Sequence, residues 1–550
     1  MSVPLLDVSL STDVSTNDVF ALCKRVGLEV SEEFAEACRP VIGALDGCAK
    51  VIMARDDHFP GPDEIGYPRK DIQTDIDNSL DGGGWATKVR ASGGLLMLTC
   101  TKVNVKSTQP ESNLLQGRTL ALKDNIALAG VRCTNGTDLS GWVPDFDATV
   151  VKRILDCGGT ILGKAACESG CWSTVSDTSI TGPVRNPYHD EFSCGGSSSG
   201  SARLVACRSV DMALGGDQGG SIRVPASACG IVGLKPTWGL VPYTGILGVS
   251  AVIDHVGPMA RTVADCALLL EAIAGPDGID DRQPHINWFR SVPYADEVRQ
   301  HSTTADPRPL AGVKIGVLEE GFQHPRQDDL VARVVRQSID KFEELGAEVR
   351  TCHVPEHRDT ELAWMCTLPA FAFTQGLVLN SGGRKQFAMS GPAALGNGGL
   401  SQSTFDVLNT AGQNLYLRGC FLQEKYGAAL VSRCTNLMRK LSDDYDVAFR
   451  QFDVLVMPTT PLPPCRIFKS RSEGSTSERL KRTTGITANT APFNASGHPA
   501  LSIPVGFSPA LEDPSVRLPV GLQLVGRKFE DALLLKVAAS WENRYDWKAQ

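Results

Sequence analysis

Gly195-Gly196-Ser197-Ser198-Ser199-Gly200-Ser201, followed by Gly215-Gly216-Asp217-Gln218-Gly219-Gly220-Ser221-Ile222-Arg223, decides the reading of this 550-residue chain. Upstream of both stands Ala121-Leu122-Lys123-Asp124-Asn125. A serine flanked by small residues leaves its hydroxyl open on one side, and successive glycines let backbone N–H groups converge on an oxyanion without Cβ interference. Two such turns and a lysine at the end of an apolar run are the parts of a nucleophilic site.

Cleaving an unactivated amide requires that a serine lose its proton as it attacks, that the tetrahedral oxyanion be held, and that the leaving nitrogen be protonated. Histidine is the usual proton carrier, but the chain has only 9, and none lies in either serine-rich segment. His255 is the nearest downstream candidate; set between apolar residues, it reads as a core histidine. A lysine can take the role where burial populates its neutral amine. Lys123, closing the run Thr119-Leu120-Ala121-Leu122, is the candidate; the competing reading pairs it with Asp124 as a surface ion pair.

Taken together, the three segments resemble the amidase signature family. The likeness runs from about Lys123 to Trp541 and is most specific at Gly195 to Pro242. It implies a Ser–cis-Ser–Lys triad, with Ser221 as nucleophile, Ser197 as bridging serine after a cis Gly196–Ser197 bond, and Lys123 as general base. It also implies an oxyanion hole from the N–H groups of Gln218, Gly219, Gly220 and Ser221, a supporting role for Ser198, and a bracing role for Asp217 and Arg223. Two positions depart from the commonest family pattern: Ser199 and Gly216 stand where Gly and Thr are usual. These variants are similar to amidases that act after nitrile hydratases, which carry a helical N-terminal module used in dimerisation. The segments Thr490–Ala500 and Leu518–Gly526 resemble the family's last strands, expected to pack beneath the site.

The implied fold is α/β: a central twisted mixed β-sheet flanked by helices, with a small helical N-terminal module. Local patterns agree. Thr16-Asn17-Asp18 and Ser31-Glu32-Glu33 read as helix starts, and the Asp-, Pro- and Gly-rich stretch 56–86 reads as a surface linker. The domain expectation is a module and linker over 1–86 and a catalytic domain over 87–550, with a smaller subdomain or insertion around 280–450. Thr119–Lys123 and Thr160–Leu162 read as strands, and Ala148–Asp156 as a helix burying Val150, Val151, Ile154 and Leu155. Val313–Leu318, Leu330–Leu345 and Glu348–Val354 form a strand–helix–strand unit; Asp453–Met457 is a strand and Phe529–Asn543 a terminal helix. Residues 385–405 read as a loop or lid.

Composition narrows the partners. The chain is 42% hydrophobic and 21% charged with a net charge of −8, which gives no electrostatic reason to bind nucleic acid or anionic membranes. No secretory signal and no membrane span is read, and 17 scattered cysteines suit a cytoplasmic protein with reduced thiols. Cys167 and Cys171 are read as small buried residues rather than metal ligands. Gly196–Gly200 matches the spacing of an α/β-hydrolase nucleophile elbow, but a polar loop, not a strand, precedes it. Gly158–Ala165 fails as a phosphate loop because Ala165 stands where Ser or Thr is needed. No metal or organic cofactor is implied.

The expected reaction is hydrolysis of a small-molecule carboxamide to carboxylate and ammonia through an acyl-enzyme on Ser221, with aliphatic or aryl acid amides such as arylacetamides tested first. The alternatives are a component of an amidotransferase that releases ammonia from glutamine for a partner, and an enzyme that forms an amide by aminolysis. A homodimer through the N-terminal module is the expected assembly.

Overall fold

The computed structural model describes residues 14–25, 27–55, 61–73, 81–86, 88–90, 96–98, 102–137, 142–284, 290–303, 306–371, 400–470 and 473–549. They divide into two units, Met1–Pro60 and Gly61–Gln550. The first contains two helices, Thr16–Arg25 and Glu32–Met53. Ser31 caps the second through its Oγ, which accepts from Phe34 N at 3.2 Å, while Glu32 and Glu33 sit in the first turn, where the helix dipole favours negative charge.

The second unit is organised by a mixed sheet with twelve strands among the described residues. Its first half has the order β1 (Arg69–Gln73), β4 (Lys102–Lys106), β6 (Thr160–Ala165), β5 (Thr119–Lys123), β7 (Met212–Asp217), β9 (His255–Ala260) and β8 (Val232–Lys235). It continues through β13 (Ala500–Pro509), β14 (Arg517–Gly526), β12 (Val454–Pro458), β10 (Lys314–Leu318) and β11 (Glu348–Cys352). A separate hairpin joins β2 (Lys88–Arg90) to β3 (Leu96–Leu98). β5 lies parallel to both neighbours, β6 and β7, and its side chains from Leu120 to Lys123 are buried, as expected of a central parallel strand.

The register puts the site's parts at one end of the sheet. Leu122 pairs with Leu214 and with Lys164, so Lys123 ends β5 level with the last residues of β7. The serine-rich turns leave from that same end, each running into a helix: Ser199–Ala206 after the first, Arg223–Cys229 after the second. Both helices share an apolar cluster with the sheet, formed by Ala121, Ala165, Ala202, Leu204, Ala213, Ile222, Ala226 and Met259 among others.

The anticipated helix near 148–156 spans Thr149–Asp156 and buries its four apolar residues. The strand–helix–strand unit is present as β10, Asp329–Glu344 and β11, and it extends the sheet beyond β12. Three assignments change. Arg69–Gln73, placed in a linker by the sequence, is the sheet's edge strand, paired antiparallel to β4. Within Thr490–Ala500, Ala491–Ser496 is a short helix rather than a strand, because Gly497 takes a left-handed conformation (φ 79°) before β13 begins. A 39-residue helical segment, Thr410–Ala448, fills much of the expected insertion and carries a non-helical Gly427. Most of the loop expected at 385–405 lies outside the described residues; its end, from Gln402, opens the helix Gln402–Val407.

Candidate active site

Lys123 is fully buried, and its Nζ lies 2.7 Å from Ser197 Oγ and 3.1 Å from Gly216 O. Asp124 does not pair with it. That carboxylate turns to Lys164, 3.2 Å away, and accepts from the N–H and hydroxyl of Thr134. No carboxylate forms an ion pair with Lys123 among the described residues, so its amine faces one hydroxyl and one carbonyl. That environment suits an amine that exchanges a proton rather than one held as a paired cation.

The Gly196–Ser197 peptide is cis. Ser197 is fully buried beneath Lys123, whereas Ser221 keeps 7% of its surface exposed. Of the three groups, therefore, only Ser221 can meet a solute directly. Ser198 ties the two turns together: its N–H donates to Ser221 O at 3.2 Å and its Oγ to Gly216 O at 3.2 Å.

Around Ser221 the chain is held by a buried ion pair. Arg223 Nη2 donates to Asp217 Oδ1 at 2.9 Å and Nε to Oδ2 at 3.0 Å, with both side chains fully buried. Burial alone would raise the Asp217 carboxyl; the adjacent guanidinium outweighs it and holds the group well below the usual carboxylate range. The carboxylate in turn accepts from Gly220 N (2.7 Å) and Ile222 N (3.0 Å), which fixes the turn on either side of Ser221. Arg223 also reaches Thr490 O, Gln523 Oε1 and Asn494 Oδ1 at 2.6–2.8 Å, and Asn494 Nδ2 donates to Asp217 O. The C-terminal segments thus pack beneath the site, and they bond directly to its brace.

The N–H of Gly220 is engaged by Asp217, while those of Gly219 and Ser221 have no acceptor among the described residues. Trp364, on the helix His357–Phe371, donates its indole N–H to Gln218 O at 3.0 Å, and Gln218 Nε2 donates to Tyr243 Oη at 3.0 Å. Gly220 sits at φ 134°, and a Cβ there would lie 2.3 Å from Thr490 Oγ1. Gly220→Ala is therefore expected to displace the turn and to cost about 1–3 kcal/mol of backbone strain besides the clash. Parallel measurement of urea midpoint and nucleophile labelling would show both falling; unchanged values would contradict this packing.

His255 is buried away from the Lys123–Ser197 pair. Its Nδ1 donates to Ile253 O at 2.8 Å, and burial drives the ring toward the neutral form. The sequence underestimated two groups. Cys171 is buried, as anticipated, but its thiol is drawn down to about 6, first by a hydrogen bond with Cys167 and then by the Lys123 charge, which places it beside the triad. Glu168 carries a buried carboxyl behind Ser197, a position that only its acidic character in an otherwise apolar stretch could have signalled.

A lysine-supported serine beside free backbone N–H groups, on a mixed sheet flanked by helices, defines an amide-cleaving hydrolase. A family model described as Amidase matches residues 99–535, and the chain belongs to that family, the amidase signature family. It is similar to an enantioselective amidase of Rhodococcus rhodochrous, 36% identical over 83% of this chain and 84% of that one. Among solved structures it resembles the amidase-type component of glutamyl-tRNA(Gln) amidotransferase from Thermotoga maritima, with 27% identity, a TM-score of 0.65 and coverage of 85% and 88%. It likewise resembles the peptide amidase of Stenotrophomonas maltophilia, with 28% identity, a TM-score of 0.63 and coverage of 79% and 84%. Among the described residues no helix is long and apolar enough to cross a membrane.

Proposed function

We propose that this enzyme hydrolyses a small-molecule primary carboxamide to a carboxylate and ammonia through an acyl-enzyme on Ser221. The observation that carries the reading is the 2.7 Å contact between Ser197 Oγ and the buried Lys123 amine, next to the partly exposed Ser221. In the acylation step Ser221 Oγ attacks the amide carbon as its proton passes to Ser197 Oγ and the Ser197 proton passes to Lys123 Nζ. The N–H groups of Gln218, Gly219, Gly220 and Ser221 form the oxyanion hole, with those of Gly219 and Ser221 open to donate and that of Gly220 shared with Asp217. The relay then runs backward, protonating the leaving nitrogen so that ammonia departs, and water repeats the sequence to release the acid. Ser198, Asp217 and Arg223 hold this geometry.

A second reading is supported by the likeness to components of glutamyl-tRNA(Gln) amidotransferases: ammonia released from glutamine for a partner protein. The isolated chain distinguishes the two. Ammonia release is measured with a panel of aliphatic and aryl carboxamides and with glutamine. The amidase reading expects turnover of at least one non-amino-acid carboxamide without any partner; turnover of glutamine alone, or only once a copurifying protein is supplied, would replace it with the second. The cytoplasmic setting and the homodimer formed through the helical N-terminal module belong to the same proposal, and sedimentation of the whole chain tests the latter.

A further inference from the structure

Glu168 is a fully buried carboxylic acid that no step above uses. It lies just past β6 and touches the Ser197 segment repeatedly. Its backbone N–H donates to Ser197 O at 3.1 Å, and its Oε1 accepts from Ser199 Oγ at 2.9 Å. A Cβ on Gly196 would lie 2.8 Å from its Cγ. Its other oxygen, Oε2, accepts from Thr178 N at 2.9 Å and Thr178 Oγ1 at 2.5 Å, which anchors the carboxyl to the neighbouring turn. No cation is paired with it among the described residues, although burying a carboxyl in this way is unfavourable unless its hydrogen bonds are met.

We propose that Glu168 is a positioning residue that holds the Ser197–Ser199 turn against Thr178 and so keeps Ser197 Oγ in line with Lys123. The link depends on Ser199. A chain with glycine at that position has no hydroxyl to offer the carboxyl, so this enzyme's departure from the commoner glycine pattern and its buried acid form one device. Burial pushes the carboxyl up to about 8, and the nearby Asp177 adds to the rise against the Thr178 bonds. Near neutral pH it can therefore carry a proton, donating to Ser199 Oγ while accepting from Thr178. An amide side chain reproduces that pattern of one donor and one acceptor; an apolar side chain of similar size does not.

The inference rests on Ser221 being the nucleophile, and the test separates the two ideas. Wild type, E168Q, E168L, S199G and E168L/S199G are compared for kcat and KM on one carboxamide, for the rate of Ser221 labelling by a fluorophosphonate, and for Tm. E168L and S199G are expected to lower kcat and labelling by about tenfold or more with KM within about twofold. E168Q should stay within about threefold of wild type, and the double variant should be no slower than the slower single variant. If E168L does not fold, S199G and E168Q carry the test. Wild-type rates in E168L or S199G, an E168Q as slow as E168L, or losses that multiply in the double variant would overturn the proposal alone. A wild-type enzyme that leaves Ser221 unlabelled overturns the nucleophile assignment, and this inference with it.

Discussion

Ser221→Ala is expected to abolish acylation: no fluorophosphonate adduct by intact mass, and amide turnover reduced by at least about a thousandfold. The reason is one of access and supply. Lys123 and Ser197 are fully buried, so neither can replace the hydroxyl that meets the substrate. Removing one oxygen from a partly exposed side chain leaves the Asp217 bonds to Gly220 and Ile222 in place, and the urea midpoint should hardly move. Lys123→Ala interrupts the same relay at its far end. With no amine near Ser197 the proton has no acceptor, and turnover should fall by about 10²–10⁴ at little change in KM. Turnover near the wild-type rate in either variant would remove the relay from consideration.

Arg223→Ala should be the most destabilising single change near the site. It deletes five hydrogen bonds and leaves the Asp217 carboxylate buried without its cation, a loss of about 3–5 kcal/mol. Labelling of Ser221 should fail as well, because the same carboxylate orients Gly220 and Ile222. The pH dependence gives the cause its signature. In the wild type the Asp217 pKa is depressed on folding, so its contribution is present above the ordinary aspartate range and is lost as pH falls through the lower folded value. In Arg223→Ala burial is no longer opposed by the guanidinium and raises the carboxyl's pKa, so acidification relieves the variant by protonating it. The stability gap between the two proteins should narrow from pH 8 toward pH 4 in urea titrations. A constant gap would mean that the loss comes from packing rather than from the stranded charge.

Much of the local structure was legible in the sequence for definable reasons. Thr119–Lys123 and Val454–Pro458 are short, largely apolar runs that the sheet buries, and Thr149–Asp156 has an apolar face followed by Gly158 at φ 80°. Capping serines and aspartates mark other starts, as Ser31 and Asp328 do. Arg69–Gln73 was not legible: a strand of mostly polar residues is specified by the antiparallel neighbour β4, not by its own pattern. Nor was Thr410–Ala448, whose exposed positions mix charged and apolar residues without a single clear stripe.

The chemistry divides along the same line. Two glycine-flanked serines and a lysine closing an apolar strand could be read directly from the chain, because backbone freedom and side-chain functionality belong to single residues and their near neighbours. Which group each of them faces is settled by the fold. Asp124 lies next to Lys123 in the chain yet pairs with Lys164, because strand geometry turns successive side chains to opposite faces. Arg223 finds Gln523 across 300 residues, and Glu168 finds Ser199 across 31. Such partners are chosen by sheet order and burial, which leave a buried charge or hydroxyl only the neighbours brought within hydrogen-bonding distance.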